Sequence, residues 1–147
     1  MGIFDAIDIS GSGLSAERLR MDVTAENLAN AQTTGANGQA YRRKDVVLRA
    51  GESSGFGAAL AGAIGARPAS VPGGVEVAGI VEDPTPPRRI YDPGHPDADA
   101  QGYVAMPNVN PVTEMVDLIS ASRSYEANVT AMQSAKQMFT KTLDILR

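Results

Sequence analysis

The stretch Asn108-Val109-Asn110-Pro111-Val112-Thr113-Glu114-Met115-Val116 opens a run that continues to Arg147 without another Gly or Pro. Pro111 has no amide hydrogen to donate, which suits the first turn of a helix, and Asn110 before it can cap the free amides. Glu114 and Asp117 sit where the helix dipole favours negative charge; Lys136, Lys141 and Arg147 lie where it favours positive charge. The spacing predicts one helix of roughly 36 residues, about 54 Å long. That is several times the usual globular helix.

Its apolar residues fall on two lines. One runs Met115, Leu118, Ser122, Tyr125, Val129, Met132, Lys136, Phe139, Leu143 and Leu146 in alternating steps of three and four, the a/d repeat of a coiled coil. The other, Ala131, Ala135, Met138, Thr142 and Ile145, keeps the same rhythm roughly 110° further round the helix. A helix with two seams needs two kinds of neighbour. The other long helical pattern is at the opposite end of the chain, from Ile3 to about Asn30. There Phe4, Ile7, Gly11, Leu14, Arg18, Met21, Ala25 and Leu28 follow three-four spacing, and Ile9, Ala16, Leu19 and Val23 form a second line. Antiparallel alignment of the bulky stripes sets Leu14 against Met132, Met21 against Tyr125 and Leu28 against Leu118.

A chain of 147 residues makes one domain, or one helical body with a small insert. Thirteen Lys and Arg face seventeen Asp and Glu, a net charge of -4, and the largest basic cluster is Arg42-Arg43-Lys44. A nucleic-acid interface needs a broad basic face, so no nucleic-acid partner is expected. There is no Cys, which excludes disulfides and thiolate metal sites. The opening Met1-Gly2-Ile3-Phe4-Asp5, with a further acid at Asp8, does not read as a cleavable signal peptide. No run approaches the ~18 apolar residues of a membrane span.

The sequence divides into a first helix within 1–35, a β-rich insert over 36–107 and a final helix over 108–147. Asn27 to Gly35 stops the first helix, because Asn, Thr and Gly favour caps and turns. Within that helix, Ser10-Gly11-Ser12-Gly13 lowers helix propensity by about 1 kcal/mol per Gly relative to Ala. Either the glycines break the helix, or the small residues admit another backbone. Tyr41 to Arg49 and Val75 to Val81 read as strands, and Arg88 to Tyr91 with Gly102 to Met106 as two arms around a loop. Gly51 to Gly74 is rich in Gly and Ala and reads as a loop. In the loop between the arms, Asp92, His95, Asp97 and Asp99 invite comparison with a metal site. No Glu stands where a Ca²⁺ loop places its bidentate ligand, so a structural turn is the better expectation. One His, no Cys and no Ser-His-Asp arrangement argue against an enzyme. No cofactor, metal or small-molecule substrate is expected.

Asn27-Leu28-Ala29-Asn30-Ala31-Gln32-Thr33-Thr34-Gly35, with Ser12 to Met21 before it, resembles the start of the bacterial flagellar rod and hook proteins; the usual form has Asn where this chain has Gln32. Tyr91 to Asp99, Gly102-Tyr103-Val104 and Pro107 to Asn110 are similar to one branch of the flagellar basal-body rod protein family, the proximal-rod protein C branch. Glu114 to Asn128 matches the C-terminal helix shared by axial proteins. The resemblance covers roughly two-thirds of the chain.

It implies a structural subunit of the proximal rod, mainly α with a small β insert, its terminal helices paired as an antiparallel coiled coil. It further implies export through the flagellar type III apparatus without a cleaved signal, and residence in the periplasmic part of the basal body. The implied partners are copies of itself, other proximal-rod proteins, the membrane ring below and the distal rod above. The bulky seam would hold the chain's own first helix, and the small seam a neighbouring subunit. The expected assembly interface is Leu14, Met21, Asn27, Leu28 and Asn30 on the first helix. On the last helix it is Tyr125, Asn128, Val129, Met132, Ala135, Met138, Phe139 and Leu143.

Overall fold

A computed structural model describes residues 3–35, 40–51 and 73–145. The elements are α1 (Ile3–Ala29), β1 (Lys44–Ala50), β2 (Val75–Glu82), β3 (Arg88–Tyr91), β4 (Tyr103–Met106) and α2 (Pro111–Ile145). The predicted long terminal helices and β insert are present. The expected loop at 51–74 lies, apart from its ends, outside the described residues.

Local chemistry sets the helix limits. Asn110 Oδ1 accepts from the Val112 amide at 3.1 Å, and its carbonyl accepts from the Glu114 amide at 3.1 Å. This is the expected cap, with Pro111 needing no partner. At the end of α1, Asn30 donates its side-chain amide to the Glu26 carbonyl at 2.9 Å. The Thr33 amide turns back to the Asn30 carbonyl at 3.1 Å. Gln32 is exposed.

The chain forms two compact units, the first from residues 1–18, 48–78 and 123–147, the second from 19–47 and 79–122. In the first unit α1 runs unbroken through Gly11 and Gly13. Ser12 Oγ donates to the Ile9 carbonyl at 2.8 Å and accepts from the Val75 amide at 3.0 Å. Gly74 has φ +93°, and a Cβ there would collide with Ser12 Oγ. Only glycine meets both conditions. A Cβ on Gly13 would lie 3.0 Å from Asn128 Nδ2, whereas Gly11 faces open space. Close approach therefore accounts for Ser12 and Gly13 but not for Gly11. Paired bonds between Gly51 and the Gly73-Gly74 backbone, each 2.8 Å, close the neck of the β1–β2 ribbon.

In the second unit β3 and β4 pair antiparallel, Arg88 with Met106 and Tyr91 with Tyr103. The two tyrosine rings meet edge-on with centroids 5.3 Å apart. Gly102, at φ +82°, gives the turn its reversal, and a Cβ there would lie 2.9 Å from Tyr91 Cε2. Val23, Thr24, Asn27, Ala31, Val104, Val109, Glu114 and Ala121 are buried.

The inward line of α2 differs from the bulky stripe. It runs Glu114, Leu118, Ala121, Tyr125, Asn128, Met132, Ala135, with Glu114, Ala121 and Ala135 buried. Met115, Phe139 and Leu143, placed inward by the sequence, are exposed. Ala135, assigned by the sequence to a seam facing a neighbouring subunit, is buried within the chain. Small residues take the closest contacts and add little to an apolar pattern weighted by bulk.

Candidate functional site

Among the described residues, no catalytic constellation gathers. The second unit instead holds a buried polar cluster on residues from α1, the approach to β1, and α2. Asn27, 1% exposed, continues the buried line of α1 one step past Val23. Its amide nitrogen donates to the Lys44 carbonyl at 2.8 Å and to Glu114 Oε2 at 3.1 Å. Its oxygen accepts from the Lys44 amide and from the Tyr41 hydroxyl, both at 2.9 Å. All four hydrogen bonds that an Asn side chain can form are made.

Glu114, also 1% exposed, faces donors with both carboxylate oxygens: Asn27 at 3.1 Å and Arg43 Nε at 2.7 Å. The short Arg43 contact is a charge-assisted bond, among the stronger classes of hydrogen bond. It holds the guanidinium further above its ordinary pKa, against the opposing effect of burial. Asp117 adds a longer ion pair to Arg43 at 3.7 Å. Burial pushes the Tyr41 phenol up, and the charge of Glu26 adds to that. The Lys44 ammonium reaches Glu26 at 2.6 Å, and that bond raises its pKa.

A cleft of about 660 Å³ opens beside the cluster, lined by residues including Glu26, Tyr41, Arg42, Arg43, Glu82, Asp83 and Asn108. Its walls mix both signs of charge, and the Thr85 hydroxyl on them is taken up by the Asp83 carboxylate as part of a local turn.

The Asp-rich loop is organised by its own amides. Asp92 Oδ1 accepts from Gly94, and Asp99 Oδ1 from Gln101 and Tyr103 at 2.8 and 2.9 Å. The Tyr103 bond, with the Gln101 bond, holds the Asp99 carboxyl below its ordinary value. His95 Nδ1 accepts from the Asp97 amide at 3.1 Å. Asp97 Oδ2 accepts from Thr34 Oγ1 at 2.7 Å, which ties this loop to the turn after α1. Among the described residues, no group of three His, Cys, Asp or Glu side chains is placed to hold a metal ion.

Of the expected interface residues, Asn27 joins Glu114 and Asn128 lies against Gly13. Leu14, Met21, Leu28, Asn30, Tyr125, Val129 and Met132 are half-buried, while Met138, Phe139 and Leu143 are exposed. In both contacts the residue numbers add to 141 (27 with 114, 13 with 128). Alignment of the apolar stripes gives 146 instead (14 with 132). Glu114 and Arg43 were missed as partners; the available signal was Asn27, a polar residue in step with the buried α1 line.

A family model of flagella basal body rod proteins matches residues 7–36, and one of the C-terminal part of flagellar basal body rod FlgEFG proteins matches 100–145. The chain is 45% identical over 146 residues to the flagellar basal-body rod protein FlgC of Yersinia enterocolitica, covering 99% of this chain and 98% of that one. It is 48% identical over 151 residues to FlgC of Bacillus subtilis, covering 99% of each. With FlgC of Borreliella burgdorferi the identity is 42% over 158 residues, covering 100% and 99%. Similarity of this depth spans the whole chain and includes both helices that frame the polar cluster, so the chain belongs to the flagellar basal-body rod protein family.

Proposed function

We propose that this structural subunit of the flagellar rod builds the rod's proximal segment, with α1 and α2 paired as an antiparallel coiled coil and the outer face of α2 laid against neighbouring subunits. The observation that carries this is an uncovered ridge on α2. Val112, Met115, Val116 and Ile119 follow helical spacing and are 64%, 45%, 60% and 54% exposed. Thr113 and Ser120 flank them, so the ridge carries no charge. Apolar residues in one continuous row mark an interaction surface more often than an ordinary monomer face.

The common residue-number sum at Asn27–Glu114 and Gly13–Asn128 supports antiparallel pairing, because each step forward on one helix is a step back on the other. Neighbours touching through unlike surfaces extend into open helical arrays, which suits a torque-bearing tube. The same reading takes the chain through the flagellar export apparatus into the periplasm. There it meets copies of itself, other proximal-rod proteins, the membrane ring and the distal rod. Electron microscopy of purified basal bodies carrying an epitope-labelled chain tests it. Label on the rod next to the membrane ring is expected; label confined to the hook or the cytosol would overturn the proposal.

A further inference from the structure

We propose that the Asn27–Glu114–Arg43 cluster selects the register of the α1–α2 pair, a task the apolar seam cannot perform; the proposal rests on the antiparallel pairing above. Leu14, Met21 and Leu28 are spaced by seven residues, and so are Leu118, Tyr125 and Met132. The buried apolar positions are spaced in sevens as well: Ala16 and Val23 on α1, and, two such steps apart, Ala121 and Ala135 on α2, with Asn128 between them. Sliding one helix past the other by seven residues returns apolar side chains to apolar side chains. Burial of the larger apolar residues therefore separates these registers only through those left over at the ends of the seam, beside the one close approach of Asn128 to Gly13.

The polar cluster has no such repeat. Asn27 grips both backbone groups of Lys44, so the adjacent Arg43 travels with α1. Glu114 belongs to α2 and takes one bond from each of these two donors. A slip in one direction sets Glu114 opposite Thr34, beyond the end of α1. A slip in the other offers it Arg20 and still deprives Asn27 of its acceptor. An ionised carboxylate buried without its partners is costly, and one polar residue in a coiled-coil seam is enough to fix register. Both neighbours of Glu114 are donors, so a carboxylate, which accepts at both oxygens, satisfies the site where an amide cannot.

The chain has no Cys, so introduced pairs report register cleanly. Ala16→Cys with Tyr125→Cys reads the observed register; Ala16→Cys with Met132→Cys, or with Leu118→Cys, reads a slip of seven. A short thiol cross-linker is applied to dilute full-length chain and intramolecular products are counted by mass spectrometry. In the otherwise unaltered chain the Tyr125 pair should dominate. In an Arg43→Met, Glu114→Leu background a slipped pair should become comparable with it, while helix content and Tm are kept. Cross-linking confined to the Tyr125 pair in that background would overturn the register role and leave the pairing intact. If none of the three pairs links in the unaltered background, the pairing itself fails and the proposal with it. Should the double variant lose its helix signal, Asn27→Leu decides by the same criterion, since it removes the α1 side of the cluster.

Discussion

Two side chains, Asn27 and Glu114, account for much of what distinguishes this fold from two loosely matched helices. Arg43→Ala leaves the Glu114 carboxylate buried with Asn27 as its remaining donor. A loss of about 3–5 kcal/mol is expected, the range for breaking a buried pair from one side. Arg43→Met with Glu114→Leu should cost far less, because it removes both charges together. Urea denaturation of the two variants checks this, and equal losses would show that packing rather than charge pairing dominates. Tyr41 adds a pH signature. Its phenol is held above the ordinary value by burial first and by Glu26 second, so the folded state favours the neutral form. That contribution is intact below about pH 10, the unfolded tyrosine value, and is lost as pH rises through the raised folded value. Stability of Tyr41→Phe should therefore fall less steeply above that pH than stability of the unaltered chain; parallel curves would contradict the assignment.

Glycines give the element scale its sharpest contrast. Gly11→Ala meets open space inside α1 and should stabilise the chain by about 1 kcal/mol. Gly74→Ala meets both a left-handed backbone and Ser12 Oγ, so it should destabilise the neck of the β1–β2 ribbon. Thermal melts of the pair, one moving up and the other down, are the check. In the β3–β4 turn, Asp99 is held below its ordinary pKa by the Tyr103 amide. Its contribution is present above the unfolded carboxylate value near ~4 and fades as pH falls through the lowered folded value. The Tyr103 amide should lose hydrogen-exchange protection in that acid range, and Asp99→Ala should remove it at neutral pH. The helices and the β3–β4 arms were legible in the sequence because they rest on local signals: an Asn-Pro start, a three-four rhythm, turn residues between apolar runs. The partners of Asn27 were not. Asn27 and Glu114 are 87 positions apart, and stripes that repeat every seven residues match equally well at several alignments. Ala121 escaped notice as an inward residue because a methyl group hardly marks a stripe, and its spacing puts Ala135 on the other seam.

At the scale of the whole molecule, α2 carries two chemistries on its outer side. Val112, Met115, Val116 and Ile119 form an uncharged apolar ridge, while on the later exposed face Met138, Phe139 and Leu143 are interspersed with Arg123, Glu126, Lys136 and Lys141. The ridge has no large partner within the described chain, as its exposure shows, and a rod subunit supplies the reason to keep it. A charge placed there should be tolerated by the monomer and rejected by the assembly. Ile119→Asp is accordingly expected to leave helix content and Tm nearly unchanged, since surface changes away from buried features usually stay within about 0.5 kcal/mol. Each neighbour contact in the rod would then bury an unpaired carboxylate. The most direct measurement is electron microscopy of basal bodies purified from cells whose sole copy of the chain carries Ile119→Asp, with the growth medium assayed for the exported protein. The expected result is protein that is exported but basal bodies that stop short of a complete rod; complete rods containing Ile119→Asp would contradict assembly through this face.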